Sequence, residues 1–143
     1  MEKNIKFKIT DKNFLAPEQM QALTLAYIGD SIYDIMSREY IIKNHPGKIN
    51  DLHHKVSRIV SAKAQAEFMT NMLADNFLTQ MELKVFARGK NQKNNSKAKN
   101  ASIIEYKLAT GLEAVFGYLY LEKNFDRLEE VFNYIITCYE EKQ

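Results

Sequence analysis

The order of apolar and polar side chains is helical along almost the whole chain. After residue 16 the apolar residues recur three or four positions apart, and no stretch alternates with the period of two that marks a strand. Residues 1–14 alternate only weakly, and we expect them to be extended. This pattern predicts an all-α fold. The expected helices cover about residues 17–43, 50–57, 61–73, 79–87, 102–122 and 124–143.

Capping residues and glycines set the predicted helix ends. Pro17 suits the first turn of the first helix, where its missing N–H has no partner to lose. Ser102 and Glu105 form a capping-box pattern at the start of the fifth helix. We expect the fourth helix to stop at Gly89, because glycine commonly follows the last residue of a helix. The other expected caps are Asn50 or Asp51, Thr79 and Asn124.

Composition indicates one helical domain. The chain has 143 residues, of which 45% are hydrophobic and 27% charged, enough for one sizeable core. We assign residues 1–16 to an N-terminal extension and 17–143 to the domain. The single cysteine, Cys138, cannot form an intrachain disulfide, which favours a reducing compartment. The longest apolar run, 108–121, is shorter than the ~18 residues of a membrane span. We therefore expect a cytoplasmic location.

Two carboxylates lie within apolar helices. The stretch "LAYIGDSIYDIM", residues 25–36, is apolar on both sides, so we expect this helix to be packed all round and Asp30 not to be a plain solvent-facing acid. In "LATGLEAVFGYLYL", residues 108–121, Glu113 is the only charge. Gly111 and Gly117 bracket it, and small residues let another backbone or a ligand approach closely.

The two acids would meet if their helices pack together, and like charges at short range require a cation. Mg²⁺ accepts one or two carboxylates and completes its octahedron with waters and phosphate oxygens. It would lower the pKa of a water and offset charge on a phosphorus centre. Alternatively, each acid pairs with an internal Lys, Arg or Tyr hydroxyl. The pattern leaves both interpretations open.

Several motifs resemble the ribonuclease III family. "LAYIGDSIYD" resembles its signature helix, and "ARGKN" followed by "TGLEAVFGYLYLE" resembles its Arg-Gly-Lys loop and last acidic motif. The resemblance covers about residues 20–123 and is strongest to Mini-ribonuclease III, the short form without a double-stranded-RNA-binding domain. It implies the ribonuclease III catalytic-domain fold and Mg²⁺-dependent cleavage of double-stranded RNA to 5′-phosphate and 3′-hydroxyl ends. The usual task of that subfamily is maturation of the large-subunit (23S) ribosomal RNA precursor.

The resemblance assigns both catalysis and Mg²⁺ binding to Asp30 and Glu113. Two further acids of the family fall on Ala26 and Thr110 here. Mini-ribonuclease III resembles this chain in lacking those two acids, so their absence does not argue against activity. It does argue against a tightly held second metal ion.

The resemblance also implies a homodimer, with Tyr27 at the dimer contact. Two symmetry-related sites would then cut one strand each. Asp34 is open to two interpretations: it supplies part of the missing charge, or it is a surface acid beside Arg38.

A basic segment precedes the helix of Glu113. Residues 84–99 contain six Lys or Arg side chains and no acid. Such side chains suit phosphate and 2′-hydroxyl contacts, although charge runs also occur as solvated loops. By resemblance, this loop enters a groove of the duplex. The expected RNA-binding residues are Arg88, Lys90, Asn91, Lys93, Lys97 and Lys99, with a second basic cluster of Lys55, Arg58 and Lys63.

Two rival functions fit the same pattern. One is a non-catalytic helical double-stranded-RNA-binding module with a degenerate active site. The other is a helical metal phosphohydrolase that acts on free nucleotides. Loss of duplex cleavage with retained binding in Asp30→Asn separates the first from an endoribonuclease, and an assay of free nucleotides separates the second.

Overall fold

The computed structural model describes residues 15–92 and 102–143. Within these ranges it has a short 3-10 helix, Pro17–Gln19, followed by six α-helices and no strand, which confirms the predicted all-α fold. The predicted extended segment 1–14 lies outside the described residues. The helices are α1 (Ala22–Asn44), α2 (Ile49–Val60), α3 (Ala62–Ala74), α4 (Gln80–Lys90), α5 (Ile103–Leu121) and α6 (Phe125–Glu141).

Side-chain caps confirm three of the predicted helix starts. At α5, Ser102 Oγ accepts the Glu105 N–H and Glu105 Oε1 accepts the Ser102 N–H, both at 3.0 Å. Thr79 begins α4 with a capping box of the same kind. At α6, the Asn124 side chain accepts an N–H from the first turn. These caps satisfy N–H groups that have no partner inside the helix.

The predicted starts of α1 and α2 were wrong. Pro17 begins the separate 3-10 helix, and the chain is extended at Gln21, with φ −62° and ψ 142°, before α1 begins. Lys48 precedes α2, and no side chain caps that helix. Asn50 and Asp51 lie inside its first turn, where the Asp51 carboxylate faces the positive end of the helix dipole.

The prediction that Gly89 ends α4 was also wrong. Gly89 lies inside the helix and is buried against α5. A Cβ atom at this position would come within 3.0 Å of both Ala114 Cβ and Gly111 Cα. Glycine is present here because it lets two helices approach, and α4 continues to Lys90.

The central element is α5 rather than α1. Nine residues of α5 are buried, and α1, α3, α4 and α6 pack around it. On α1, by contrast, Tyr27 is 83% exposed and Ile35 is 62% exposed, so the expectation that α1 is packed on all sides was wrong. None of the helices in residues 15–92 and 102–143 has the length and apolar content needed to cross a membrane.

Glycines bring the backbones of α1 and α5 into direct contact. A Cβ atom on Gly29 would lie 1.8 Å from the carbonyl oxygen of Glu113. On the opposite helix, a Cβ atom on Gly117 would lie 1.9 Å from the carbonyl oxygen of Leu25. No larger residue fits at either position unless the helices separate.

A buried ion pair connects α4 to α6. Glu82 is 2% exposed, and its two carboxylate oxygens accept hydrogen bonds from Nε and Nη2 of Arg127, both at 2.9 Å. The same guanidinium donates to the carbonyl oxygen of Phe77 at 2.7 Å and lies 4.4 Å from the centre of its ring. The charge of Glu82 is thus paired inside the fold.

We expect Gly29→Ala to lower the free energy of unfolding by about 3 kcal/mol or more, because the added methyl group collides with the backbone of α5. Urea unfolding followed by circular dichroism measures the change. The control is Gly47→Ala, where the nearest atom to the new methyl group is Asp51 Cβ at 3.4 Å. Equal unfolding midpoints for the two variants would contradict the tight crossing.

Candidate active site

An open cleft of about 710 Å³ lies beside the crossing of α1 and α5. Asp30 reaches it from α1 and Glu113 from α5. Ala26 and Thr110, the positions that match the two missing acids, line the same cleft. All four positions singled out in the sequence therefore lie around one space, although Asp30 and Glu113 are more than 80 positions apart in the chain.

The two carboxyl groups lie within hydrogen-bonding reach of each other. Burial, together with the neighbouring charge of Asp30, raises the pKa of Glu113 to about 8. Asp30 is exposed at the mouth of the cleft, so the expectation that it is not a plain solvent-facing acid was wrong about its exposure, although Asp30 does face Glu113. The reason is that α1 lies at the surface and the cleft is open. One acid is thus hydrated, and the other readily retains a proton.

The donor set fits a hard divalent cation. Neither Asp30 nor Glu113 forms a salt bridge with a Lys or Arg among the residues described. In the same part of the chain, no group of three or more His, Cys, Asp or Glu side chains is arranged to hold a metal ion. Two converging carboxylates in an open cleft match Mg²⁺, which takes one or two protein carboxylates and fills its other positions with water and phosphate oxygens.

Asp34 and Thr110 are both engaged elsewhere. Asp34 forms an ion pair with Arg38 Nε at 3.0 Å and is not part of the cleft lining. Of the two interpretations of Asp34, the structure supports the surface acid beside Arg38. Thr110 is buried, and its hydroxyl donates to the carbonyl oxygen of Tyr106 at 2.9 Å. Its proton therefore points to its own helix.

The first basic cluster is only partly described. Arg88 donates to the carbonyl oxygens of Glu18, at 3.2 Å, and Met20, so its guanidinium holds the segment before α1 against α4. Lys90 and Asn91 are exposed at the end of α4. The remaining members lie outside the described residues; they are Lys93, Lys97 and Lys99.

Two of the three residues of the second basic cluster line a different groove. Arg58 and Lys63 line a space of about 340 Å³ together with Tyr139 and Lys142 of the C-terminal part. Lys55 donates to the carbonyl oxygen of His45 at 3.2 Å. None of the three basic residues lines the cleft of the two acids.

Gln65 was not singled out from the sequence. This residue of α3 is 2% exposed, and its Nε2 donates to Glu113 Oε2 at 3.4 Å and to the carbonyl oxygen of Val60 at 2.9 Å. The available signal was a polar side chain within "AKAQAEFM", between alanines of an apolar helix. An uncharged amide is a weaker signal in an apolar helix than a carboxylate is.

Comparison with known proteins agrees with this geometry. Residues 23–124 match the family described as "Ribonuclease III domain". The chain is 49% identical to the Mini-ribonuclease 3 of Clostridium tetani over 87% of its length and 82% of that protein. It is 44% identical to the Mini-ribonuclease 3 of Enterococcus faecalis, covering 83% and 90%. A crystal structure of a Fusobacterium nucleatum protein is similar, with a TM-score of 0.74, 29% identity, and coverage of 84% and 94%.

The fold and the site therefore define a helical nuclease domain of the ribonuclease III type. The chain belongs to the ribonuclease III family and is an endoribonuclease. The resemblance to Mini-ribonuclease III that its motifs predicted is confirmed.

We expect the metal-free protein to lose stability as the pH rises from about 5 to about 8. The pKa of Glu113 is raised in the folded state, so folding favours the protonated carboxyl, and this contribution is lost as the pH rises through the folded pKa. The expected loss is roughly 2 to 4 kcal/mol relative to Glu113→Gln, which cannot titrate. Urea unfolding in EDTA at several pH values measures it. Parallel pH profiles for the two proteins would contradict the raised pKa.

Proposed function

We propose that this endoribonuclease is Mg²⁺-dependent, cleaves double-stranded RNA, and holds the metal ion with Asp30 and Glu113. One observation carries the proposal: carboxyl groups from two helices lie within hydrogen-bonding reach in an open cleft, and the described residues supply no neutralising Lys or Arg. The nuclease domain is assigned to residues 17–143. Its described helices share one hydrophobic core.

The roles of the two acids follow from their different surroundings. When bound, Mg²⁺ supplies Lewis acidity that activates water and offsets negative charge on the phosphorus centre. Glu113 is the buried anchor: it would hold the cation as the carboxylate, so metal binding would require the loss of the proton that its raised pKa favours. Asp30 lies exposed at the mouth, on the side from which a phosphodiester enters. The small side chains at Ala26 and Thr110 leave room for water beside the two acids.

Binding of the duplex is assigned to the basic segment that follows α4. Lys90 and Asn91 are exposed where α4 ends, and Lys93, Lys97 and Lys99 continue the same run of positive charge. Contacts of this kind fall on phosphates and 2′-hydroxyls and recognise the A-form shape. Arg88 positions the start of this segment through its bonds to the backbone before α1. Lys55, Arg58 and Lys63 provide a second, peripheral contact.

The natural substrate is proposed to be a large-subunit (23S) ribosomal RNA precursor, processed in the cytoplasm. Two relatives that share much of this sequence carry the name Mini-ribonuclease 3, and the resemblance of the motifs to that subfamily implies this task. The single cysteine of the chain suits a reducing compartment. Cleavage of both strands is assigned to a homodimer, with Tyr27 at its contact.

We expect Asp30→Asn and Glu113→Gln each to lower Mg²⁺-dependent cleavage of a duplex RNA by about 10³-fold or more, because each removes one of two metal-binding carboxylates. Gel analysis of end-labelled duplex measures cleavage, and filter binding in EDTA measures affinity, which should stay within about twofold of native. Asp34→Asn is the matched control, since Asp34 pairs with Arg38 outside the cleft. A native protein that binds duplex RNA without Mg²⁺-dependent cutting would support the binding-module alternative instead.

We expect Tyr27→Asp to convert the proposed dimer to a monomer, because it replaces an aromatic side chain that is 83% exposed on α1 with a charged one. Analytical ultracentrifugation measures the mass. The control is Leu83→Asp, a similar change on the exposed side of α4. A dimer that persists in Tyr27→Asp, or a native protein that sediments as a monomer, contradicts the assigned contact.

A further inference from the structure

Gln65 joins the candidate active site to the junction of α2 and α3. It lies in the first turn of α3, 48 positions before Glu113 in the chain, and it is 2% exposed. One amide N–H group donates to the carbonyl oxygen of Val60 at 2.9 Å, and the same nitrogen lies 3.4 Å from Glu113 Oε2. A single amide therefore connects the junction between α2 and α3 to a carboxylate on the central helix.

The orientation of this amide is determined by Val60. A carbonyl oxygen only accepts hydrogen bonds, so the amide nitrogen, and not its oxygen, must face Val60. The second N–H of that nitrogen then remains for Glu113. Rotating the amide by half a turn would place two acceptor oxygens, of Val60 and Gln65, against each other. The structure thus selects the orientation that presents a donor to the carboxylate.

The other end of the amide is the Oε1 atom. Gln65 Oε1 is buried and accepts no hydrogen bond from the described part of the chain. A buried polar atom without a partner is unfavourable. This cost indicates that the amide is kept for its donor half, which contacts both Val60 and Glu113.

We propose that Gln65 is a positioning residue that holds the Glu113 carboxylate in place for the metal ion. The inference rests on the proposed function, since it requires that Glu113 is a metal ligand. By fixing Oε2 of Glu113, Gln65 limits rotation of the carboxylate in the metal-free protein, so fewer orientations are lost when the cation binds. Groups that orient metal ligands in this way commonly affect metal affinity as strongly as some ligands do.

The test uses Gln65→Met, which keeps the length of the side chain and removes its N–H groups. Mn²⁺ binding to the RNA-free protein, measured from the electron paramagnetic resonance signal of free Mn²⁺, should weaken about tenfold. The Mg²⁺ concentration for half-maximal duplex cleavage should rise by a similar factor, while kcat at saturating Mg²⁺ stays within about threefold of native. A higher Mg²⁺ concentration for half-maximal cleavage, with kcat conserved, is the result that a merely structural role does not give.

The matched control is Ser61→Ala. Ser61 Oγ accepts the N–H of Ala64 at 3.2 Å, so this variant loosens the same helix junction without touching Glu113. Its Mn²⁺ affinity should equal that of the native protein. If Gln65→Met also binds Mn²⁺ with native affinity, the positioning role is overturned.

A second measurement decides the matter if Gln65→Met does not fold. In ¹⁵N-labelled native protein, the assigned side-chain amide signals of Gln65 should shift on addition of Mg²⁺, with the affinity of the site. Signals that do not move at saturating Mg²⁺ overturn the inference. Failure of the proposed function looks different: the native protein would bind no Mn²⁺, or Asp30→Asn would bind it as the native protein does.

Discussion

The structure depends on the contact between the backbones of α1 and α5. Gly29 leaves no space between α1 and the carbonyl of Glu113, and Gly117 does the same one turn later, against Leu25. Asp30 directly follows the first glycine, and Glu113 itself provides the opposing carbonyl. The closest approach of the helices is therefore also the point at which the two carboxylates meet. Here glycine inside a helix, which costs about 1 kcal/mol relative to alanine, is a condition of the site.

A second glycine contact fixes the surroundings of that crossing. Gly89 on α4 meets Gly111 on α5, and Arg88, the residue before it, donates to the backbone just before α1. The start of α1 is thereby held from both sides, by α5 and by α4. The buried pair of Glu82 and Arg127 holds α4 to α6. Rigid neighbours of this kind keep two carboxyl groups together where repulsion between their charged forms would otherwise separate them.

Much of the architecture was predictable because it is encoded locally. Helical periodicity and the Ser102 cap involve residues only three or four positions apart, and the acids stood out as charges in apolar helices. The predictions that failed concern residues whose roles depend on partners far away in the chain. Gly89 has the local form of a helix stop, but α5 determines its role. Gln65 acquires its significance only from Glu113, 48 residues later, and the exposure of Asp30 only from the position of α1 at the surface. No local pattern contains such information.

A site with two carboxylates has a consequence for how metal and substrate bind. Each acid removed from a cation site lowers its negative charge, and here Ala26 and Thr110 occupy the places of two such acids. Under the proposed function, the protein alone would hold Mg²⁺ through few bonds, and the remaining positions would belong to water and to phosphate oxygens. The phosphodiester is itself an anionic ligand, so metal and duplex would each strengthen the binding of the other. The metal ion would then bind the RNA-free protein measurably, but more weakly than it binds the complex with duplex RNA.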